Sequence, residues 1–269
     1  MAERVVAMAS VEDAFRVAVQ SLGPRPPDDA PQSVKNPWVG KLSGVLALAL
    51  ADQLRARGMK QVRPAEPGAL GLSGAERRLA GGIGAKRVDV TWATDESGLM
   101  FAASVKTIMY RDGKTGNYQK NLTNRRGDLL FEAVTLHRRF PYAVLSGWLF
   151  LDVGASQDGT SKRKSTFENA FSRLRLFTGR RDPAGREEQF ERLFLILLDA
   201  NPFSPTFECY EVNDSSRRLD MDQVLSELVE LTAERNFDLY EAENGIIRRS
   251  VSGVRRHSAG EDVELVEDE

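Results

Sequence analysis

The chain has 269 residues, 41% hydrophobic and 28% charged, enough apolar material for one substantial core and ordinary for a globular protein. A single cysteine, Cys209, excludes an internal disulfide and a thiolate zinc site, and two histidines, His137 and His257, exclude a histidine-built metal centre. The net charge of −2 hides an uneven spread: the last twelve residues hold six acids and no base, leaving 37 bases against 33 acids elsewhere.

In chain order, Met1 to Leu22 reads as an amphipathic helix carrying Val11, Phe15, Val17 and Val19. Gly23 to Asn36 holds four prolines and reads as a linker, so residues 1–36 are expected to precede the main domain at 37–249. Lys41 to Met59 repeats Leu42, Val45, Leu46, Ala49, Leu50 and Leu54 at helical spacing, with Gly58 at its end. Lys60 to Pro64 reads as a short edge strand, and Gly68 to Gly84 as a glycine-rich loop. Arg87 to Ala93 and Leu99 to Ile108 read as a hairpin closed by Thr94 to Gly98. A basic, polar loop is expected from Tyr110 to Arg126, then a helix from Asp128 to Arg139. Tyr142 to Leu151 is a nearly unbroken apolar run, as in a buried central strand. Phe167 to Phe177 predicts a helix, Leu193 to Leu198 and Thr206 to Val212 two strands, and Met221 to Arg235 a helix. Residues 250–269 show no periodicity and predict a disordered acidic tail. This order predicts an α/β protein with a mixed central sheet flanked by helices. The single cysteine makes a reducing cytoplasm the expected setting; Leu42 to Leu54 is too short and interrupted to span a membrane, and the amino terminus has no signal-like apolar core.

The hairpin carries the chemistry. Alternation places Leu99, Phe101, Ala103 and Val105 on one face of the second strand, and Ser104 and Lys106 on the other. Asp89 shares its face with Thr91, while Val88, Val90 and Trp92 point the opposite way. Charges amid such apolar strands need each other, a metal or a ligand.

With Asp89 on one strand and Ser104-Val105-Lys106 on the next, the segment resembles the PD-(D/E)xK nuclease superfamily, which includes many restriction endonucleases. There a strand Asp is followed, one hairpin later, by an acid, any residue and Lys. Val88 stands where the motif has Pro, and Ser104 where it has the second acid. Some members carry Ser-x-Lys with the acid supplied by the following helix. The resemblance spans roughly 41–199 and implies a restriction-endonuclease-like core, a Mg2+ cofactor and a DNA substrate. It implies Asp89, Ser104, Lys106 and Glu132 as catalytic residues. Asp89, Glu132, the Val105 carbonyl and Glu76 would be the metal ligands.

Asp128 and Glu132, four apart on one helical face, compete for the displaced acid. Glu132 lies between Phe131 and Ala133 in the apolar run and is favoured. Asp128 suits the first turn of a helix, where the dipole favours acids.

From Lys106 to Arg192 there are 17 Lys and Arg against 10 Asp and Glu, a balance that suits a polyanion. Arg111, Lys114, Lys120, Asn121, Asn124, Arg125 and Arg126 mix phosphate-holding cations with base-reading groups. Lys86 and Arg87, just before Asp89, are further candidates for DNA phosphate. Lys162-Arg163-Lys164 reads as phosphate contacts or plain surface. Gly81 to Lys86 lacks the spacing of a phosphate-cradling loop and reads as a turn. His137, beside Arg138 and Arg139, is expected to sit favourably at a helix carboxyl end.

The expected function is Mg2+-dependent hydrolysis of double-stranded DNA, of the restriction or phage-defence kind. A homodimer is compatible with that, and a companion DNA methyltransferase would accompany a restriction role. Two alternatives stay open: a structure-selective repair nuclease, and a DNA-binding module whose catalysis was lost with the acid at 104.

Overall fold

The computed structural model describes residues 9–66, 78–80, 82–83 and 85–251. Its frame is a six-stranded sheet of β3 (Val90–Thr94), β4 (Gly98–Ile108), β5 (Val144–Asp152), β6 (Arg192–Asp199), β7 (Thr206–Glu211) and β8 (Asp214–Leu219), hydrogen-bonded in that order. The pairs β4–β5 and β5–β6 are parallel; the other three are antiparallel. Two short hairpins stand apart from it: β1 (Arg78–Ala80) with β2 (Ala85–Arg87), and β9 (Tyr240–Glu243) with β10 (Ile246–Arg249).

Helices cover both sheet faces. One face packs on α1 (Val11–Gln20), α2 (Gln32–Ala56) and α5 (Met221–Arg235). The other packs on α3 (Gln119–His137) and α4 (Thr166–Leu174). This explains the unbroken apolar run of β5. Val144, Trp148 and Phe150 enter the first core, while Leu145, Leu149 and Leu151 enter the second.

In α2, Trp38, Leu42, Leu46, Leu50 and Leu54 recur every four residues and are all buried. The helix stops in a Schellman motif, with Gly58 N–H donating to Arg55 O at 3.0 Å and Met59 N–H to Leu54 O at 3.1 Å. Gly58 has φ +99°, and a Cβ there would lie 2.1 Å from Ile247 O, so both backbone conformation and close approach require glycine.

Several expectations are corrected. α2 begins at Gln32, inside the segment read as a linker, because Pro31 ends the proline run and its carbonyl accepts from Val34 and Lys35. The preceding segment packs on Tyr110: Tyr110 Oη donates to Pro26 O at 3.0 Å, and the Arg25 guanidinium lies 4.3 Å from the ring centre. Lys60 to Pro64 supplies only an isolated bridge from Arg63 to Thr91. α3 starts at Gln119, so Lys120 to Arg126 are helical rather than loop.

A register shift between Trp92 and Ala93 inserts Met100 as an extra residue, so Ala93 pairs with Leu99 while Trp92 pairs with Phe101. Leu99 therefore packs in the α3-side core, opposite to the face expected from simple alternation. His137 sits in the last turn of α3, as expected. It is buried, 3.3 Å from Glu191 Oε2, where Arg180 and Arg235 also pair with Glu191. The expected acidic tail lies outside the described residues beyond Val251.

Candidate active site

The site forms where the ladder between β3 and β4 runs out. The last Cα pair is Val90 with Ala103, and the chain then swings away at Asp89 into the β1–β2 hairpin. Asp89 stands in a bend rather than a strand. Its Oδ2 takes the place of a strand partner by accepting the Val105 N–H at 2.7 Å. The N–H and C=O of a strand residue project to the same side, so the Val105 carbonyl faces the same open edge.

Ala102, Ser104 and Lys106 share the face toward α3. On that helix Leu122, Leu129, Glu132, Ala133 and Leu136 are all buried, a stripe at helical spacing that carries Glu132 into the sheet. Ser104 Oγ donates to Glu132 Oε2 at 2.6 Å. Lys106 Nζ lies 2.6 Å from Asp89 Oδ2 and 3.3 Å from Glu132 Oε2. The side chain of Glu132 is 1% exposed, that of Lys106 13% and that of Asp89 25%. The three form a graded series from core to solvent. Burial works against the charge of Lys106, but Glu132 and Asp89 outweigh it and raise its pKa above 10.5.

These groups floor a cleft of about 610 Å3 between α2 and α3. Asn36, Gly40 and Ser43 form one wall, Arg125 and Asp128 the other, with Arg87 at the rim. Ser43 Oγ lies 2.8 Å from Thr107 Oγ1, tying α2 to the open edge of β4. The volume suits a small ligand or a segment of a larger one.

The donor set is hard oxygen: two carboxylates and one backbone carbonyl, the kind that Mg2+ takes. Glu132 Oε1 is buried with no hydrogen-bond partner, and an orphaned carboxylate oxygen is a group that a cation would satisfy. Among the described residues no three His, Cys, Asp or Glu side chains are grouped to hold a metal. The fit is therefore to an ion held by two carboxylates plus substrate oxygens, as Mg2+ commonly is.

Asp89, Ser104, Val105, Lys106 and Glu132 thus come together from the expected set. Asp128 lines the cleft but is turned to Arg125, 2.8 Å away. Glu76 lies outside the described residues, as does the side chain of Lys86.

The DNA-contact candidates divide. Lys114 and Asn124 are exposed. Lys120 pairs with Asp112 at 3.1 Å. Asn121 spends its amide on Tyr110 O at 3.2 Å. The Arg111 guanidinium lies 5.7 Å from the Tyr118 ring centre, and that of Arg126 5.7 Å from the Phe177 ring centre. Sequence reasoning missed the α2 wall of the cleft, because Asn36, Gly40 and Ser43 carry no charge to mark them.

Comparison of the chain with protein-family models, with curated proteins and with solved structures finds no match.

Proposed function

We propose that the protein is a Mg2+-dependent DNA endonuclease with a restriction-endonuclease-like core, in which Glu132 supplies the acid that Ser104 lacks. The observation that carries this reading is Lys106 held between Asp89 and Glu132 at the unpaired edge of β4. Two carboxylates around one ammonium leave the floor of the cleft with an excess negative charge, which favours a divalent cation over a second amine. Asp89, Glu132 and the Val105 carbonyl would hold that ion. When bound, Mg2+ neutralises phosphate charge and makes a water more acidic.

The chain's own groups do the rest. Lys106, with its pKa raised, stays protonated at neutral pH and donates to a phosphate oxygen or to the attacking water. Ser104 holds the Glu132 carboxylate in one orientation, fixing where its orphaned Oε1 points. Arg125 and Arg87 at the cleft rim suit the flanking phosphates.

The two-carboxylate donor set favours one second reading, a module that binds DNA without cutting it. Incubation of plasmid with the protein in Mg2+, in Ca2+ and in EDTA separates the two. Cleavage in Mg2+ alone supports the nuclease, and binding with no cleavage under any condition supports the module. Discrete fragments would indicate a restriction role, whereas cutting confined to junctions or flaps would indicate repair.

A further inference from the structure

We propose that the turn from Thr160 to Lys164, ahead of α4, is a second phosphate-binding surface for duplex DNA, locked to the catalytic end of the sheet by Asp158. The proposal rests on the nuclease reading for its substrate but on separate residues for its evidence.

The parallel pairing sets the location. Lys106 lies opposite Leu149 and Ile108 opposite Leu151, so β4 and β5 leave the sheet at the same end. The chain after β4 runs through Arg111 and Lys114 into α3. The chain after β5 runs through a 3-10 turn, Val153–Ser156, to the basic turn and α4.

Asp158 ties these two exits together. It is 7% exposed, and its carboxylate accepts from the Tyr118 N–H at 3.1 Å and from the Thr166 N–H at 2.6 Å. Tyr118 is the N-cap of α3 and Thr166 the first residue of α4. One buried acid thus serves the amino ends of both helices, where their dipoles favour negative charge. Tyr118 Oη donates to Asp152 at 2.7 Å, and the Arg173 guanidinium donates to Thr123 Oγ1 at 3.2 Å, fastening the same two segments again.

The turn itself is closed by Thr160 N–H to Arg163 O at 2.8 Å and Arg163 N–H to Thr160 O at 3.2 Å. Arg163 folds inward, its guanidinium donating to Asp158 O. Lys162 and Lys164 point outward, exposed, and among the described residues neither amine makes an ion pair. Glu168, the acid nearest Lys164 along the chain, closes the Ser165 capping box and feels the Lys164 charge without an ion pair to it. The turn and the start of α4 border a cleft of about 570 Å3. A solvated loop needs no buried acid to fix it, whereas a fixed turn carrying two exposed cations suits a stiff polyanion. Duplex DNA is such a partner, straight over about 150 bp. The lysines would act as point charges on the phosphodiester backbone and would not read bases.

The test measures binding of the full chain to a random 30-bp duplex in EDTA, from 50 to 200 mM salt, for the wild type and for Lys162→Ala/Lys164→Ala. Each lost phosphate contact should reduce the slope of log affinity against log salt by about 0.9. The double variant should therefore lose roughly tenfold less affinity than the wild type across that range, with unchanged melting temperature. Equal slopes for the two proteins would overturn the surface, as would a wild type that binds no duplex. A slope difference seen only on single-stranded DNA or RNA would overturn the duplex assignment. Plasmid cleavage in Mg2+ separates this from the nuclease reading. Cutting with equal slopes removes the surface alone, and unequal slopes with no cutting remove the nuclease alone.

Discussion

Ser104 Oγ donates to Glu132 Oε2 at 2.6 Å across 28 positions of sequence. A strand hydroxyl is thereby joined to a buried helix carboxylate. The same Glu132 oxygen lies 3.3 Å from Lys106, so strand, helix and lysine form one unit. Changes to any member should show in both activity and stability.

Asp89 and Lys106 should behave differently. Asp89→Asn keeps an acceptor for the Val105 N–H but removes the charge, so plasmid cleavage should fall about 10²–10³-fold with melting little changed. Lys106→Ala removes the cation beside a Glu132 side chain that is 1% exposed. Stranding a buried charge costs about 3–5 kcal/mol. Urea unfolding should show that loss, and the double variant Lys106→Ala/Glu132→Gln should recover much of it. An equally unstable double variant would mean that the two residues are not coupled.

Glu132→Gln should abolish Mg2+-dependent cleavage, whereas Asp128→Asn should stay within a few-fold of wild type. Asp128 is committed to Arg125 at 2.8 Å, and exposed pairs of this kind contribute little to stability. Initial cleavage rates across a Mg2+ titration would decide between the two acids.

Stability should respond to pH at both ends, through different pairs. The Lys106 pKa is raised above 10.5, so its favourable contribution is complete below pH 10.5 and is lost as pH climbs through the folded value. For Glu191 burial opposes ionisation, but His137, the Leu145 N–H and Arg235 outweigh it and lower its pKa below 4.5. That contribution is complete above pH 4.5 and is lost as pH falls through the lowered value. Melting temperatures from pH 3 to 11 should show Lys106→Met flattening the alkaline limb and Glu191→Gln the acid limb.

Asn121 and Asn124 should separate structure from recognition. Asn121 donates to Tyr110 O, so Asn121→Ala should lower melting temperature without changing which sites are cut. Asn124 is exposed on α3, and Asn124→Ala should instead redistribute cleavage among sites, at about 1–3 kcal/mol per lost base contact. Fragment patterns on a long duplex, read beside melting curves, would test both.

Much of this architecture was legible from periodicity. β5, β6 and α5 follow from runs of apolar residues whose spacing admits little else, and Met221–Arg235 is bounded as the sequence suggests. The pairing of Asp89 with Lys106 was legible too, because a charge in an apolar strand calls for a partner.

Weakly patterned elements were not legible. β8 reads DSSRRL and is almost wholly exposed, so only its hydrogen bonds to β7 define it. The first turns of α3 present mostly polar residues to solvent, and Leu122 alone marks their buried side. The β9–β10 hairpin did carry a signal, since Asn244 and Gly245, with φ of 52° and 71°, are the residues such a turn needs.

The sequence by itself determined which residues would be costly to bury alone: Asp89, Lys106 and Glu132. Only the tertiary structure decided how they meet. The swing of the chain at Asp89 opens the edge of β4, and the packing stripe of α3 delivers Glu132. Each is a consequence of packing, because backbone pairing and core burial are satisfied together across the whole sheet, and the hairpin that holds Asp89 and Lys106 does not contain Glu132.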